Sequence, residues 1–307
     1  MNRLLVVGGA SFDTLHLKDR TVESAGGVGM YTAMAARRCG ARVSMFGPQP
    51  DPCPVRLRPV AGYLAEWLGP LVSPEQMPRF EISYRHGKTE YLTLFFGAAA
   101  MVSPSMLPAD LSKYNLAHVA QKSDVQTQLS FIETCRERGV KLISAGTYPG
   151  DATERPQAVR AVIEQSDIFL MNAREATAVF GSIEAAHTAP GKVLFVTMGA
   201  KGATVIQGEA STFIPAVPTT ELDPTGAGDT FCGATLAFLL QDKHPIMAAR
   251  QASALAAEMI TQVGPAALLS DDPPPEAVMD SRVQLNETRT QKVARKIPYA
   301  GKARYWL

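Results

Sequence analysis

The amino-acid sequence predicts an α/β protein with a central, mostly parallel sheet covered by helices on both faces. Three observations carry that expectation. Short, largely apolar runs at residues 4–7, 43–46, 140–144, 168–171 and 193–197 recur as strands buried on both sides do. Stretches of helical spacing fall between them, at roughly 25 to 30 residues per strand-and-helix unit, the rhythm of successive βα crossovers. With 307 residues, 46% of them hydrophobic, the chain can bury one large core or two modest ones.

The charge balance narrows the function classes. Thirty basic against 29 acidic side chains give a net charge of +1, so no overall field draws the chain to nucleic acid or to an anionic membrane. Cys39, Cys53, Cys135 and Cys232 are far apart and contain no C-x-x-C, which points away from a zinc site or a disulfide framework and suits a reducing cytoplasm. The first apolar run follows a single Arg and meets Asp13 soon after, so it reads neither as a signal peptide nor as a membrane span. No repeat of fixed period is present.

In chain order, Leu4 to Gly9 is a buried strand ending in Gly-Gly, with Asp13 just past its C-terminal end. Ligands of open α/β sheets collect at that edge, so Asp13 is a candidate for binding substrate hydroxyls, and equally a turn cap. Gly26-Gly27 opens a helix that runs through Ala33 and stops at Gly40, and Val43–Phe46 is the next strand. After a proline-dense stretch from Pro48 to Pro59, Ala61 to Leu68 reads as a short helix. Residues 80–85 and 89–96 alternate polar and apolar as a hairpin joined by His86-Gly87-Lys88; Arg85 and Lys88 are either solvated hairpin charges or contacts to an anionic substrate. Asp124–Arg138 is a helix, Val140–Ser144 a strand, Pro156–Gln165 a helix and Ile168–Met171 a strand.

Asn172-Ala-Arg-Glu175 stands at the end of that strand. It is both a helix cap with a capping-box Glu and a pair able to orient waters around Mg²⁺, which binds proteins through few ligands. Val193–Thr197 is followed by Gly199-Ala-Lys-Gly202, a turn whose Lys201 is either a solvated tip or a phosphate contact. Glu221 to Leu240 reads as a loop broken by Pro224, Gly226 and Gly228 that opens into a buried helix. A helix N-terminus lined with glycines suits a phosphate or a developing oxyanion. Asp229 inside that turn would repel a phosphate unless a metal or a proton transfer intervenes; it is either a helix-start residue of an ordinary glycine-rich loop or a general base. Pro245–Gln262 is an Ala-rich helix ending near Gly264-Pro265. From Asp271 the chain turns Pro-rich and then basic, with Lys292, Arg295, Lys296, Lys302 and Arg304; Tyr299, Tyr305, Trp306 and Leu307 are candidate anchors on its own body or on a second subunit, as in a homodimer.

The run Asp223-Pro-Thr-Gly-Ala-Gly-Asp229 closely resembles the Asp-Thr-x-Gly-Ala-Gly-Asp signature of the ribokinase-like (PfkB) carbohydrate kinases. Over residues 4 to 270 the paired glycines, the hairpin, Asn-x-x-Glu, Thr-x-Gly-x-x-Gly and Gly-Ala-Gly-Asp follow in that family's order. The resemblance implies a three-layer α/β/α kinase domain over 1–270 with a small β lid at about 80–97, followed by the basic tail. It implies transfer of the γ-phosphoryl of ATP to a hydroxyl of a sugar-like molecule. Asp229 would be the base, and the amides of Gly226, Ala227 and Gly228 an anion hole. Thr197, Gly199, Gly202, Thr225 and Asn172 would lie by the nucleotide, and Asn172 with Glu175 would hold Mg²⁺. Asp13, Gly26, Gly27 and Tyr31 would face the acceptor, and in some relatives potassium sits near positions equivalent to Asp223 and Gly264. Tyr31 stands where the family usually has Asn, which opens a cyclitol or a nucleoside as alternative acceptors. A catalytically idle scaffold is the reading from another class. Neither a Walker A motif nor a Gly-x-Gly-x-x-Gly after the first strand is present.

Overall fold

A computed structural model of the chain describes residues 2–85, 88–122 and 124–277. β1 (Arg3–Val7) leads into a hairpin of β2 (Ser11–His16) and β3 (Thr21–Gly26), then α1 (Val28–Arg38) and β4 (Arg42–Phe46). The bridge strands β5 (Gln49–Pro50) and β7 (Leu71–Val72) flank α2 (Arg58–Tyr63) and β6 (Glu66–Leu68). A second hairpin follows, β8 (Arg79–Arg85) and β9 (Lys88–Phe95), then β10 (Leu116–Val119) and α3 (Val125–Glu137). The rest alternates: β11 (Leu142–Gly146), α4 (Pro149–Glu154), α5 (Pro156–Gln165), β12 (Ile168–Asn172), α6 (Ala173–Phe180) and β13 (Val193–Thr197). It closes with β14 (Gly202–Gln207), β15 (Ala210–Pro215), α7 (Ala227–Leu240) and α8 (Pro245–Met259).

Among the described residues, nine strands form one sheet in the order β15-β14-β13-β12-β11-β10-β1-β4-β6. Pairing is parallel from β13 to β6, and antiparallel only between β13, β14 and β15. Alternate residues of each strand feed two separate cores. Leu4, Val6, Val43, Met45, Leu170 and Phe195 face the layer of α1, α7 and α8. Leu5, Val7, Ala117, Val119, Phe169 and Val196 face the layer of α3, α5 and α6. A strand buried on both faces must be apolar at consecutive positions, which is why these runs are continuous rather than alternating. The chain leaves β1 for β4 on one side and returns to β10 on the other, so a switch point opens beside β1, where α/β sheets bind ligands.

Two expectations are corrected. Residues 61–68 are not one helix: α2 ends at Tyr63, Leu64 turns to extended backbone, and the Ala65 N–H donates to the Val43 carbonyl at 2.8 Å, so Glu66–Leu68 adds an edge strand to β4. The unpaired edge of β4 offers backbone partners that outweigh helical spacing. The hairpin expected as a lid is part of a larger sheet: the short stretch between Asp13 and Gly26, room for a short first arm, forms β2 and β3, which join β8 and β9 in a four-stranded sheet of order β3-β2-β8-β9. Asp13 therefore lies inside a strand, opposite Ser24, rather than in a turn past β1. The expected turn at His86-Gly87 and the tail beyond residue 277 lie outside the described residues, whereas the first tail residues dock on the body through Asp271, which pairs with Arg37 of α1.

Candidate active site

The turn before α7 is pinned from several sides. The N–H groups of Leu222 and Asp223 donate to the Ile260 carbonyl at 2.8 and 3.1 Å. Asp223 is 1% exposed; its Oδ1 accepts the Thr225 N–H at 2.9 Å and the Thr225 hydroxyl, and its Oδ2 accepts the Gly264 N–H at 2.7 Å. This fixes Gly226, at φ 77°, as the cap from which α7 starts. A Cβ at Gly226 would stand 2.5 Å from the ring of Tyr31, so positive φ and close approach both require glycine there. The Ala227 N–H is engaged within the turn, donating to the Pro224 carbonyl at 3.2 Å. Gly228 is exposed, and among the described residues no atom outside its chain neighbours and its own helix backbone lies within 4 Å of where its Cβ would be. Open space at a helix N-terminus is what an anion needs.

Asp229 occupies the first turn of α7 and is half-buried. Burial pushes its carboxyl up to about 7. Asp13 is 4% exposed, accepts the Ser11 hydroxyl at 2.6 Å, and presses on the Cα of Gly26, where a Cβ would fall 1.8 Å from Oδ2. Burial raises its carboxyl to about 6 despite the Ser11 bond, and the charge of Asp223 adds to the rise. Tyr31, 2% exposed, lies close enough to Asp223, Asp13, Tyr84 and Asp229 that their charges add to the burial holding its phenol protonated, and its hydroxyl is buried without a hydrogen-bond partner. Gly27 caps α1 at φ 98°, and the Met30 N–H donates to the Gly9 carbonyl at 3.2 Å, which seats the start of α1 against the loop after β1.

At the end of β12, Asn172 and Glu175 form a reciprocal capping box. Asn172 Oδ1 accepts the N–H groups of Arg174 and Glu175 at 2.9 and 3.0 Å, while Glu175 accepts from Asn172 N and Nδ2, both at 2.7 Å. Glu175 is 4% exposed, and burial, with the charge of Asp229 adding to it, raises its carboxyl to about 7. The capping role and proximity to Asp229 thus coexist. Thr197 stands opposite Asn172 in the sheet register, and Gly199 and Gly202 shape the β13–β14 turn one strand further along. The exposed Lys201 is at that turn's tip.

Sequence reading missed Ser11, Tyr84 and Tyr91. The Tyr84 hydroxyl, on β8, meets the Thr225 hydroxyl, and the charges of Asp229 and Asp13 bear on Tyr91 of β9. Their signal was the hairpin's alternation, which marks one lid face as inward but cannot say what lies beneath it. A cavity of about 430 Å³ also borders β2, lined by Phe12, Asp13, Thr14, Glu23, Arg56 and Arg79; it shares Asp13 with this cluster, while Tyr31, Glu175 and Asp229 are not in its wall. No described helix is long and apolar enough to cross a membrane.

The sequence signature described as pfkB family carbohydrate kinase matches residues 93–272. The chain is similar to the cytidine kinase of Thermococcus kodakarensis, 24% identical over 243 residues, covering 76% of this chain and 87% of that one. It is also similar to the ribokinase of Bacillus subtilis, 25% identical over 286 residues, covering 86% and 94%. Among solved structures, the adenosine kinase from Sinorhizobium meliloti shares the fold with a TM-score of 0.73 at 17% identity, over 86% of this chain and 95% of that one.

Proposed function

Because the chain belongs to the pfkB family of carbohydrate kinases, we propose that it moves the γ-phosphoryl of ATP to a hydroxyl of a neutral, polyhydroxylated acceptor, with Asp229 as the general base. One observation carries this reading: a carboxylate brought by burial to about 7 lies directly behind the glycine turn that opens α7. A base of that strength is half ionised at neutral pH and can take the acceptor's proton as the O–P bond forms. Gly226 and Gly228 at the helix N-terminus, with Ala227 of the same turn, would face the charge growing on the transferring group, which needs positioning and electrostatics more than covalent help. Thr197, Gly199, Gly202 and Thr225 would border the nucleotide phosphates.

Asn172 and Glu175 fit a hydrated Mg²⁺. They present few, hard oxygen donors, and a cation would offset the repulsion between Glu175 and Asp229 that helps raise Glu175. When bound, Mg²⁺ would neutralise charge on the phosphates. A potassium ion beside Asp223 and Gly264 belongs to the same reading, and an unchanged rate when KCl is replaced by choline chloride would count against it.

Asp13, Gly26, Gly27 and the unpartnered Tyr31 hydroxyl would bind the acceptor. The charges that bear on Asp13 and Tyr31 at neutral pH are carboxylates, which favours a neutral acceptor over a sugar acid. The tyrosines at 31, 84 and 91 favour a ring-bearing acceptor, so a nucleoside or a cyclitol stands beside a simple sugar. Asp229→Asn tests the base: turnover should fall at least ~10²-fold while ATP still stabilises the protein against heat to the same degree. Unchanged turnover would remove Asp229 from the role.

A further inference from the structure

The lid strand β8 touches the catalytic turn through one side chain. Tyr84 reaches from β8 to the Thr225 hydroxyl, one residue before Gly226. The direction of that bond follows from proton counting. Thr225 has one hydroxyl hydrogen, which it gives to Asp223 Oδ1, so its oxygen must accept and Tyr84 must donate. The phenol is suited to that part, since burial holds it protonated well above the usual tyrosine range. Asp223 passes the link on, because its other oxygen holds the Gly264 N–H beyond α8. Tyr84, Thr225, Asp223 and Gly264 thus form one chain of hydrogen bonds from lid to turn to the far end of α8.

β8 also pairs in parallel with β2, where Phe80 stands opposite Asp13. The strand that carries Tyr84 is therefore hydrogen-bonded to the strand that carries the acceptor-facing carboxylate. We propose that Tyr84 is a positioning residue that latches the lid to the turn ahead of α7, so that closure over an acceptor sets the Gly226–Gly228 backbone in its working geometry. This deepens the kinase reading and rests on it for the role of the turn. The latch would couple acceptor occupancy to phosphoryl transfer, leaving ATP less productive while the lid is open.

Hydrogen–deuterium exchange on the full chain tests the latch without knowing the acceptor. Tyr84→Phe keeps the ring and removes only the hydroxyl. It should speed exchange about 5-fold in peptides within both 79–85 and 222–230, as the loss of one hydrogen bond would. Thr225→Val should loosen the same turn, and adding Tyr84→Phe to it should change the turn no further, because the Thr225 hydroxyl through which Tyr84 acts is already gone. Once an acceptor is turned over, Tyr84→Phe should lower kcat about 10-fold and leave the KM for ATP within about 2-fold. Unchanged exchange at 222–230 in Tyr84→Phe, or additive effects in the double variant, would overturn the latch. If no acceptor reacts but exchange is coupled, the latch stands and the kinase reading fails instead.

Discussion

Asp229, Glu175 and Asp13 are three carboxylates raised mainly by burial into the range where they change charge near neutral pH. Since a base acts only when deprotonated, kcat should climb as pH rises through about 7 and then level off; a flat profile from pH 5.5 to 8.5 would contradict Asp229 as base. Stability should run the other way. A carboxyl whose folded value lies above its unfolded one binds its proton more tightly when folded, so its stabilising contribution is complete below about 4 and is lost as pH rises through about 7. Asp229→Asn should therefore raise Tm by about 2–4 °C at pH 8.5, for roughly 1 kcal/mol after solvent screening in a half-open cleft, and hardly at all near pH 4. Equal shifts at both pH values would show that ionisation is not the cause. At this scale the sequence displayed Asp229 and the Asn172–Glu175 pair at breaks between elements, and Asp13 by its place shortly after β1, although it lies inside β2. Ser11, Tyr84 and Tyr91 were hidden because a polar residue on a strand's inward face looks like any solvated one until the facing element is placed.

Among the elements, the start of α7 separates packing from chemistry in two neighbouring glycines. Gly226→Ala meets the Tyr31 ring and an unfavourable φ, so it should cost about 1–3 kcal/mol of stability and activity with it. Gly228→Ala meets no described atom outside its own helix and chain neighbours, so the fold should hold while activity falls at least ~10-fold if a phosphoryl group fills that space. A Gly228→Ala enzyme with full activity would leave the space without its assigned occupant. The strands legible in advance were those apolar on both faces, such as β1, β4, β12 and β13. β10 escaped because its four residues include His118, which lies in the layer facing α7, bonded to Ser144 at 3.0 Å and kept neutral by burial. β2 and β3 escaped because Ser11, Asp13 and Ser24 are buried polar residues, which inverts the pattern that would otherwise mark an inward face.

As a whole molecule, the described residues form a nine-stranded sheet and a four-stranded sheet and bring residues of β2, β8, β9, α1, α6 and the α7 turn within electrostatic reach of one another. The order of motifs anticipated this convergence, since βα units deliver loops to the same edge of a parallel sheet. The lid's extent could not be anticipated in the same way, because its sheet joins hairpins more than fifty residues apart in sequence. Such long-range pairing leaves no local mark. The most direct measurement is ADP release from ATP·Mg²⁺ across pentoses, hexoses, sugar acids, cyclitols and nucleosides, with Asp229→Asn as the blank and heat stability followed on the same samples. Turnover is expected with a neutral, polyhydroxylated acceptor, little with sugar acids, and the signal should be lost in the blank. Turnover that persists in Asp229→Asn, or neither turnover nor stabilisation by ATP, would contradict it.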